Sequence, residues 1–127
     1  MRPLEGVQVL DLSNVLAGPF AAYQLHLLGA QVLKIESPSG DLARELGADP
    51  AASANKMGLS FVAQNAGKQS VVLDLKSDQG REQFLSLVRG ADVVLENFRP
   101  GVMARLGLDF EVLTSENPRL IYCAISG

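Results

Sequence analysis

The sequence predicts an α/β fold with a mostly parallel sheet and helices on both faces. Three observations predict it. Short runs rich in Val, Ile and Leu recur at Val7–Leu12, Gln31–Glu36, Ser70–Leu75, Asp92–Leu95 and Leu120–Ile125. Several of them lack strict apolar–polar alternation, which is the pattern of strands covered on both sides. Helical stretches lie between them, and strand–helix–strand alternation with short loops predicts right-handed crossovers in a doubly wound sheet.

Each helical stretch carries its own signals. Phe20–Leu28 has a broad apolar face and ends at Gly29, and Asp78–Arg89 sets Phe84, Leu85, Leu87 and Val88 on its buried side and ends at Gly90. Both glycines are expected to be left-handed C-caps, because glycine takes positive φ without a Cβ penalty. Val102–Leu106 and Phe110–Ser115 read as short helices, the second capped by Asp109. Ser37–Lys68 breaks the rhythm. It is long and polar, is interrupted by Pro38 and Pro50, and leaves room for a short helix near Ala54–Gln64. Connections of that length inside a compact domain are usually functional or mobile.

Composition narrows the function classes. The chain has 127 residues, 47% hydrophobic and 20% charged, enough for one globular domain with a core. A net charge of −3 argues against a general nucleic-acid binder, although a local basic cluster can still hold an anion. Cys123 is the only cysteine and His26 the only histidine, so neither an internal disulfide nor a zinc site of ordinary composition can be built, and no metal is expected. No apolar run approaches the length of about 18 residues that a membrane span needs. The first residues carry no leader-like apolar segment. No membrane partner is expected, and the expected location is cytoplasmic.

In an open α/β sheet, ligands bind outside the carboxyl ends of the strands. The first such loop is Ser13-Asn14-Val15-Leu16-Ala17-Gly18-Pro19. Pro19 suits the first position of a helix, Gly18 allows close backbone approach, and a helix start offers N–H groups to an anion; a ligand-free tight turn is the plain alternative. The G-x-G-x-x-G fingerprint is absent, and Glu36 reads as a solvated strand end rather than a ribose-binding acid. A second loop, Glu96-Asn97-Phe98-Arg99-Pro100-Gly101, joins an amide, an aromatic ring and a guanidinium, and Arg105 follows. Phe98 or Arg99 can lie against an adenine face and the guanidinium groups can bind phosphate, unless Phe98 is core and the arginines are surface charges. Leu73-Asp74-Leu75-Lys76 ends a third strand, where Lys76 can meet phosphate as a point charge. Lys68 reads as solvated, His26 as structural and Cys123 as buried and inert. Asp11 and Glu96 end strands without an evident histidine or hydroxyl partner, and no Ser-His-Asp or Cys-His set is assembled.

Taken together, these segments resemble CoA-transferase family III, which includes formyl-CoA and carnitine CoA-transferases and the α-methylacyl-CoA racemases. The carriers are Leu4-Glu5-Gly6-Val7, Val9-Leu10-Asp11-Leu12-Ser13, Leu16-Ala17-Gly18-Pro19-Phe20 and Leu28-Gly29-Ala30. They continue through Val32, Lys34, Ile35 and Glu36, then Gly40-Asp41, Asn65, Gly67-Lys68 and Leu73-Asp74-Leu75-Lys76. The remainder are Ala91-Asp92-Val93, Glu96-Asn97-Phe98-Arg99-Pro100-Gly101, Arg105-Leu106-Gly107, Asn117-Pro118-Arg119-Leu120-Ile121-Tyr122 and Ile125-Ser126-Gly127. Their number, order and spacing carry the assignment.

The resemblance implies a Rossmann-like large domain of which residues 1–127 form the N-terminal, CoA-binding portion. It implies acyl-CoA as substrate, with contacts on Leu16, Ala17, Leu73, Asp74, Leu75, Lys76, Asn97, Phe98, Arg99 and Arg105. It also implies a homodimer, or a complementary C-terminal half as partner. The family reaction moves CoA between an acyl-CoA thioester and a carboxylic acid. An aspartate carboxylate attacks the thioester to give a mixed anhydride, CoA thiolate returns to form an enzyme thioester, and the acceptor carboxylate completes the exchange. That aspartate lies beyond Ile125-Ser126-Gly127 in the family, as do the racemase histidine and aspartate, so no catalytic residue is assigned within this chain. The departures are Ser37, where some relatives carry an arginine, and Leu16, where the formyl-CoA enzyme has a glutamine. A fragment of an acyl-CoA racemase and a non-catalytic, self-associating module remain the alternatives.

Overall fold

The strands are β1 (Gln8–Asp11), β2 (Gln31–Glu36), β3 (Gln69–Val72), β4 (Val93–Glu96) and β5 (Ile121–Ala124). A computed structural model describes all 127 residues and pairs these strands, all parallel, in the order β3-β2-β1-β4-β5. The helices are α1 (Ala17–Leu27), α2 (Pro50–Ala54), α3 (Leu59–Asn65), α4 (Asp78–Val88), α5 (Val102–Arg105) and α6 (Phe110–Glu116). The expected α/β, Rossmann-like class is therefore what the chain forms.

Side chains along a strand point alternately to opposite faces, and the two faces of this sheet differ. Leu10, Leu12, Ile35, Leu73 and Val94 meet Phe84 and Val88 of α4, Met103 of α5 and Leu113 of α6 in the main core. Val9 and Val32 pack with Ala22 of α1 in a second, smaller core. Toward the carboxyl ends of β1 and β2 this second row turns from apolar to charged. Asp11 stands two residues after Val9, and Lys34 and Glu36 follow Val32 at the same parity. All three are buried.

Several boundaries differ from the sequence expectation. The strand expected at Ser70–Leu75 pairs only over Gln69–Val72, which leaves Leu73–Leu75 outside the ladder at the sheet edge. Helix α1 begins at Ala17, so Pro19 is its third residue rather than its first; proline is tolerated there because first-turn N–H groups have no helical acceptor. Gly29 takes the expected positive φ of 114° after α1. Gly90 does not have positive φ; α4 continues right-handed through Arg89, and Gly90 N–H donates to the Leu87 carbonyl at 3.1 Å. Asp109 caps α6 as expected, accepting from Val112 N–H at 3.1 Å.

The long connection holds more structure than expected. A 3-10 helix over Leu42–Glu45 is capped by Asp41, and α2 is capped by Asp49. The helix expected near Ala54–Gln64 forms as α3, and a further helix, α2, precedes it and ends at Ala54. They are separated where Lys56 takes a φ of 60° and Gly58 starts α3. A Cβ at Gly58 would lie 2.7 Å from the Arg44 carbonyl and 2.8 Å from that of Ala43, so α3 can approach the 3-10 helix only through glycine. No helix is long and apolar enough to cross a membrane.

Candidate functional site

The strand order reverses direction at β1, which lies between β2 and β4. Ligands of doubly wound sheets bind at such a switch point, beyond the carboxyl ends of the strands. A cavity of about 440 Å³ opens there. Its floor is Leu12, Ile35 and Leu73, its walls include Ser37–Ser39, Asp74–Lys76 and Asn14, and Phe98, Val102 and Leu106 close the far side. A few polar groups around an apolar floor are the usual composition of a small-molecule site.

Phe98 packs against the main core and also lines the cavity. Glu96 positions it. One Glu96 carboxylate oxygen accepts from Phe98 N–H at 2.8 Å, and the other accepts from the Tyr122 hydroxyl at 3.1 Å. Glu96 thus has a hydroxyl partner, contrary to the sequence expectation; the parallel β4–β5 pairing supplies it from a residue remote in sequence. Burial, together with the neighbouring Glu96 charge and hydrogen bond, pushes the Tyr122 hydroxyl well above its ordinary pKa.

The loop after β1 is held by buried charge. Asp11 accepts from both Ser13 N–H, at 2.9 Å, and the Ser13 hydroxyl, so it too has the hydroxyl partner the sequence did not reveal. Lys68 is not solvated. Its ammonium donates to Asp11 at 2.8 Å, the Pro19 carbonyl at 3.0 Å and Asn65 Oδ1 at 2.8 Å, with the side chain only 1% exposed. Burial lowers the Lys68 pKa, and the Asp11 charge partly offsets that. Lys34 donates to the Ser13 carbonyl and pairs with Asp41 at 2.9 Å. Asp41 in turn accepts from Val15 N–H at 3.0 Å, and Val15 takes a φ of 68°. Positive φ is a strained conformation for a β-branched residue.

Glu36 is likewise buried rather than solvated. Its two oxygens accept from Arg44 Nε and Nη2, both at 2.8 Å, from the Ser70 hydroxyl at 2.6 Å and from Asp41 N–H at 2.9 Å. Arg44 also lies over the Phe61 ring, 3.8 Å from its centroid. Burial raises the Glu36 pKa, but the hydrogen bonds from Arg44, Ser70 and Asp41 and the Arg44 charge outweigh it and hold the carboxyl at about 2, below its ordinary 4.5. A depressed carboxyl stabilises the fold fully above its unfolded pKa and ceases to do so as pH falls through the folded value. Between about pH 4.5 and pH 2 the protein is therefore expected to lose on the order of 3 kcal/mol from this group. Acid unfolding followed by circular dichroism checks this: Glu36→Gln should flatten the loss in that window, and an unchanged slope would refute it.

His26 is structural, as expected. Its Nδ1 lies 3.3 Å from the Ala30 carbonyl, and its ring occupies the space a Cβ at Gly67 would need. Cys123 is half-buried in β5 rather than fully buried, because that strand lies at the edge of the sheet.

Residues 4–127 match the model of CoA-transferase family III. The chain belongs to that family. It is 50% identical over 126 residues to an acetyl-CoA:oxalate CoA-transferase of Acetobacter aceti, an alignment covering 98% of this chain and 31% of that protein. It is 45% identical over 130 residues to a succinyl-CoA:mesaconate CoA-transferase of Haloarcula hispanica, covering 100% of this chain and 32% of the relative. Among solved structures, a hypothetical protein (Rv3272) from Mycobacterium tuberculosis superposes with a TM-score of 0.90 at 44% identity, covering 100% of this chain and 34% of that one. A CAIB/BAIF family protein from Brucella suis gives 0.88 at 42% identity, with 99% and 34% covered. The chain therefore spans about a third of the length of these family III relatives.

The residues singled out from the family III resemblance divide into groups. Leu73, Asp74, Leu75, Lys76 and Phe98 meet around the cavity. Leu16 stands outside it, across Asn14, on an open groove with Val15, Leu46 and Leu59. Ala17 is exposed at the start of α1, Arg99 is exposed on the loop after β4 and Arg105 is exposed at the end of α5. The Asn97 amide turns toward the β1 loop. Lys68, expected to be solvated, and Lys34, Asp41 and Arg44, to which the sequence assigned no structural role, hold the site's architecture. The one available signal was parity: Lys34 and Glu36 share the inward face with Val32.

Proposed function

We propose that this chain forms the coenzyme A-binding part of a CoA-transferase, an enzyme that moves CoA between an acyl-CoA thioester and a carboxylic acid. The observation that carries the reading is the cavity at the carboxyl edge of a family III sheet, lined by Phe98 and by the Leu73–Lys76 strand end. An adenosine can lie on the apolar floor beside Phe98. The exposed Lys76, Arg99 and Arg105 can meet its phosphates as charges, Arg with a planar fork and Lys as a point charge. Leu73 N–H donates to the Glu36 carbonyl and the Asp74 carbonyl accepts from Ser77, which leaves the Leu73 carbonyl and the Leu75 N–H to bond a ligand amide or ring nitrogen.

In this reading acyl-CoA is the substrate and no metal takes part. The carboxylate nucleophile comes from the part of the family III relatives outside the 127 residues described here. The partner is a second copy or that remaining portion, and the place of action is the cytoplasm.

Calorimetry with CoA tests the reading. The protein should bind CoA, and Lys76→Ala should weaken binding about fivefold without changing thermal stability, because an exposed lysine contributes charge and little packing. Absence of CoA binding, or equal affinity in the variant, would overturn it.

A further inference from the structure

Four side chains from separate parts of the chain converge on the backbone after β1. Lys34 donates to the Ser13 carbonyl at 2.8 Å, and Lys68 to the Pro19 carbonyl at 3.0 Å. Asp41 accepts from Val15 N–H. Asn97 grips Asn14 from both sides: its Oδ1 accepts from Asn14 N–H at 2.9 Å, and its Nδ2 donates to the Asn14 carbonyl at 2.8 Å. Both functional ends of the Asn97 amide are therefore engaged by protein, across 83 residues of sequence. Asn14 and Phe98 line the cavity, so the grip fixes one wall against the other. Next in the chain is Val15, an exposed β-branched residue at a φ of 68°. Such a conformation costs roughly 1–3 kcal/mol and persists only where the surroundings over-determine it. Two adjacent clamps, one from the β4 loop and one from the long connection, supply that over-determination.

We infer that Asn97 and Asp41 are positioning residues for the CoA site, which hold Val15 left-handed and so set the direction in which the Asn14–Gly18 backbone faces the ligand. Asn97 acts through Asn14, not by touching CoA. The inference rests on the CoA reading above, but its structural half can be tested without any ligand.

Two measurements on the same variants decide it. Hydrogen exchange of the ligand-free protein should show the Asn14 and Val15 amides exchanging at least about tenfold faster in Asn97→Ala, with the sheet amides unchanged. CoA affinity by calorimetry should fall about tenfold in the same variant. Adding Val15→Asn should restore most of that affinity, because asparagine occupies the left-handed region more readily than valine and needs less clamping. A direct contact cannot be restored in this way. Lost affinity with unchanged loop exchange would make Asn97 a contact and overturn the inference. Faster exchange with unchanged affinity would show that the loop does not serve the site, which also overturns it. If the parent protein fails to bind CoA, the functional reading falls, while the exchange result still shows whether Asn97 clamps the loop.

Discussion

Asp41→Ala is expected to destabilise the protein by about 3–5 kcal/mol, the loss typical of breaking a buried ion pair by removing one partner. Asp41 is 2% exposed and joins three elements. Its Oδ1 accepts from Ala43 N–H, which starts the 3-10 helix, and from Val15 N–H in the β1 loop. Its Oδ2 faces Lys34 Nζ at 2.9 Å. Removing the carboxylate leaves the Lys34 ammonium 1% exposed, with the Ser13 carbonyl as its only remaining hydrogen-bond acceptor. A buried charge without its counter-ion is much costlier than the intact pair is favourable. A melting temperature lower by roughly 10–20 °C is the measurable consequence for a chain of this size. Asp41→Asn should lose less, since an amide oxygen still accepts the two backbone bonds. Adding Lys34→Met to Asp41→Ala should recover part of the loss by removing the stranded charge. An Asp41→Ala protein that melts within about 1 °C of the parent would show that the pair is not buried as described.

This charge network separates what was legible in the sequence from what was not. β2 forms over Gln31–Glu36 as read, because its Val-Leu-Lys-Ile run carries both β propensity and a sharp polar boundary. The positions of the loops at the carboxyl edge followed from the strand–helix alternation, whereas a shared place for Leu73–Lys76 and Phe98 was implied only by the family resemblance. The buried pairs could not be read in that way. Lys68 and Asp11 are 57 residues apart, and Lys68 follows a left-handed glycine in a segment with no periodicity. From sequence, a charge at a strand end looks solvated whether or not a distant segment later covers it. Glu36 and Arg44 are close in sequence, yet only the fold of the 3-10 helix turns the guanidinium back onto the strand. Asn97 was expected from sequence as a ligand contact, but its amide is bonded to Asn14. The direction of its amide depended on how near β1 and β4 run, which is a property of the sheet order.

Gly18→Ala is the second change expected to act strongly, through space rather than charge. A Cβ at Gly18 would overlap Ser13 Cβ and Oγ and would lie 3.3 Å from Leu95 Cδ2. Ser13 cannot retreat easily. It is fully buried, and its N–H and hydroxyl both bond Asp11, which is itself held by Lys68. Lys68 also binds the Pro19 carbonyl, one residue beyond the intruding methyl group, so the start of α1 is tied to the same ion pair it would have to move away from. Overpacking of a rigid site costs about 1–3 kcal/mol, and here disturbance of the Asp11–Lys68 pair adds to it. A loss of about 3 kcal/mol or more in denaturant unfolding is expected, together with weaker CoA binding, because the β1 loop and the cavity wall at Asn14 shift together. The decisive control moves the methylene rather than adding one: Ser13→Gly combined with Gly18→Ala removes the overlapping Cβ and should recover stability relative to Gly18→Ala alone. If the double variant is no more stable than the single one, the steric account fails, and the glycine is required for some property of the helix start other than its close approach to Ser13.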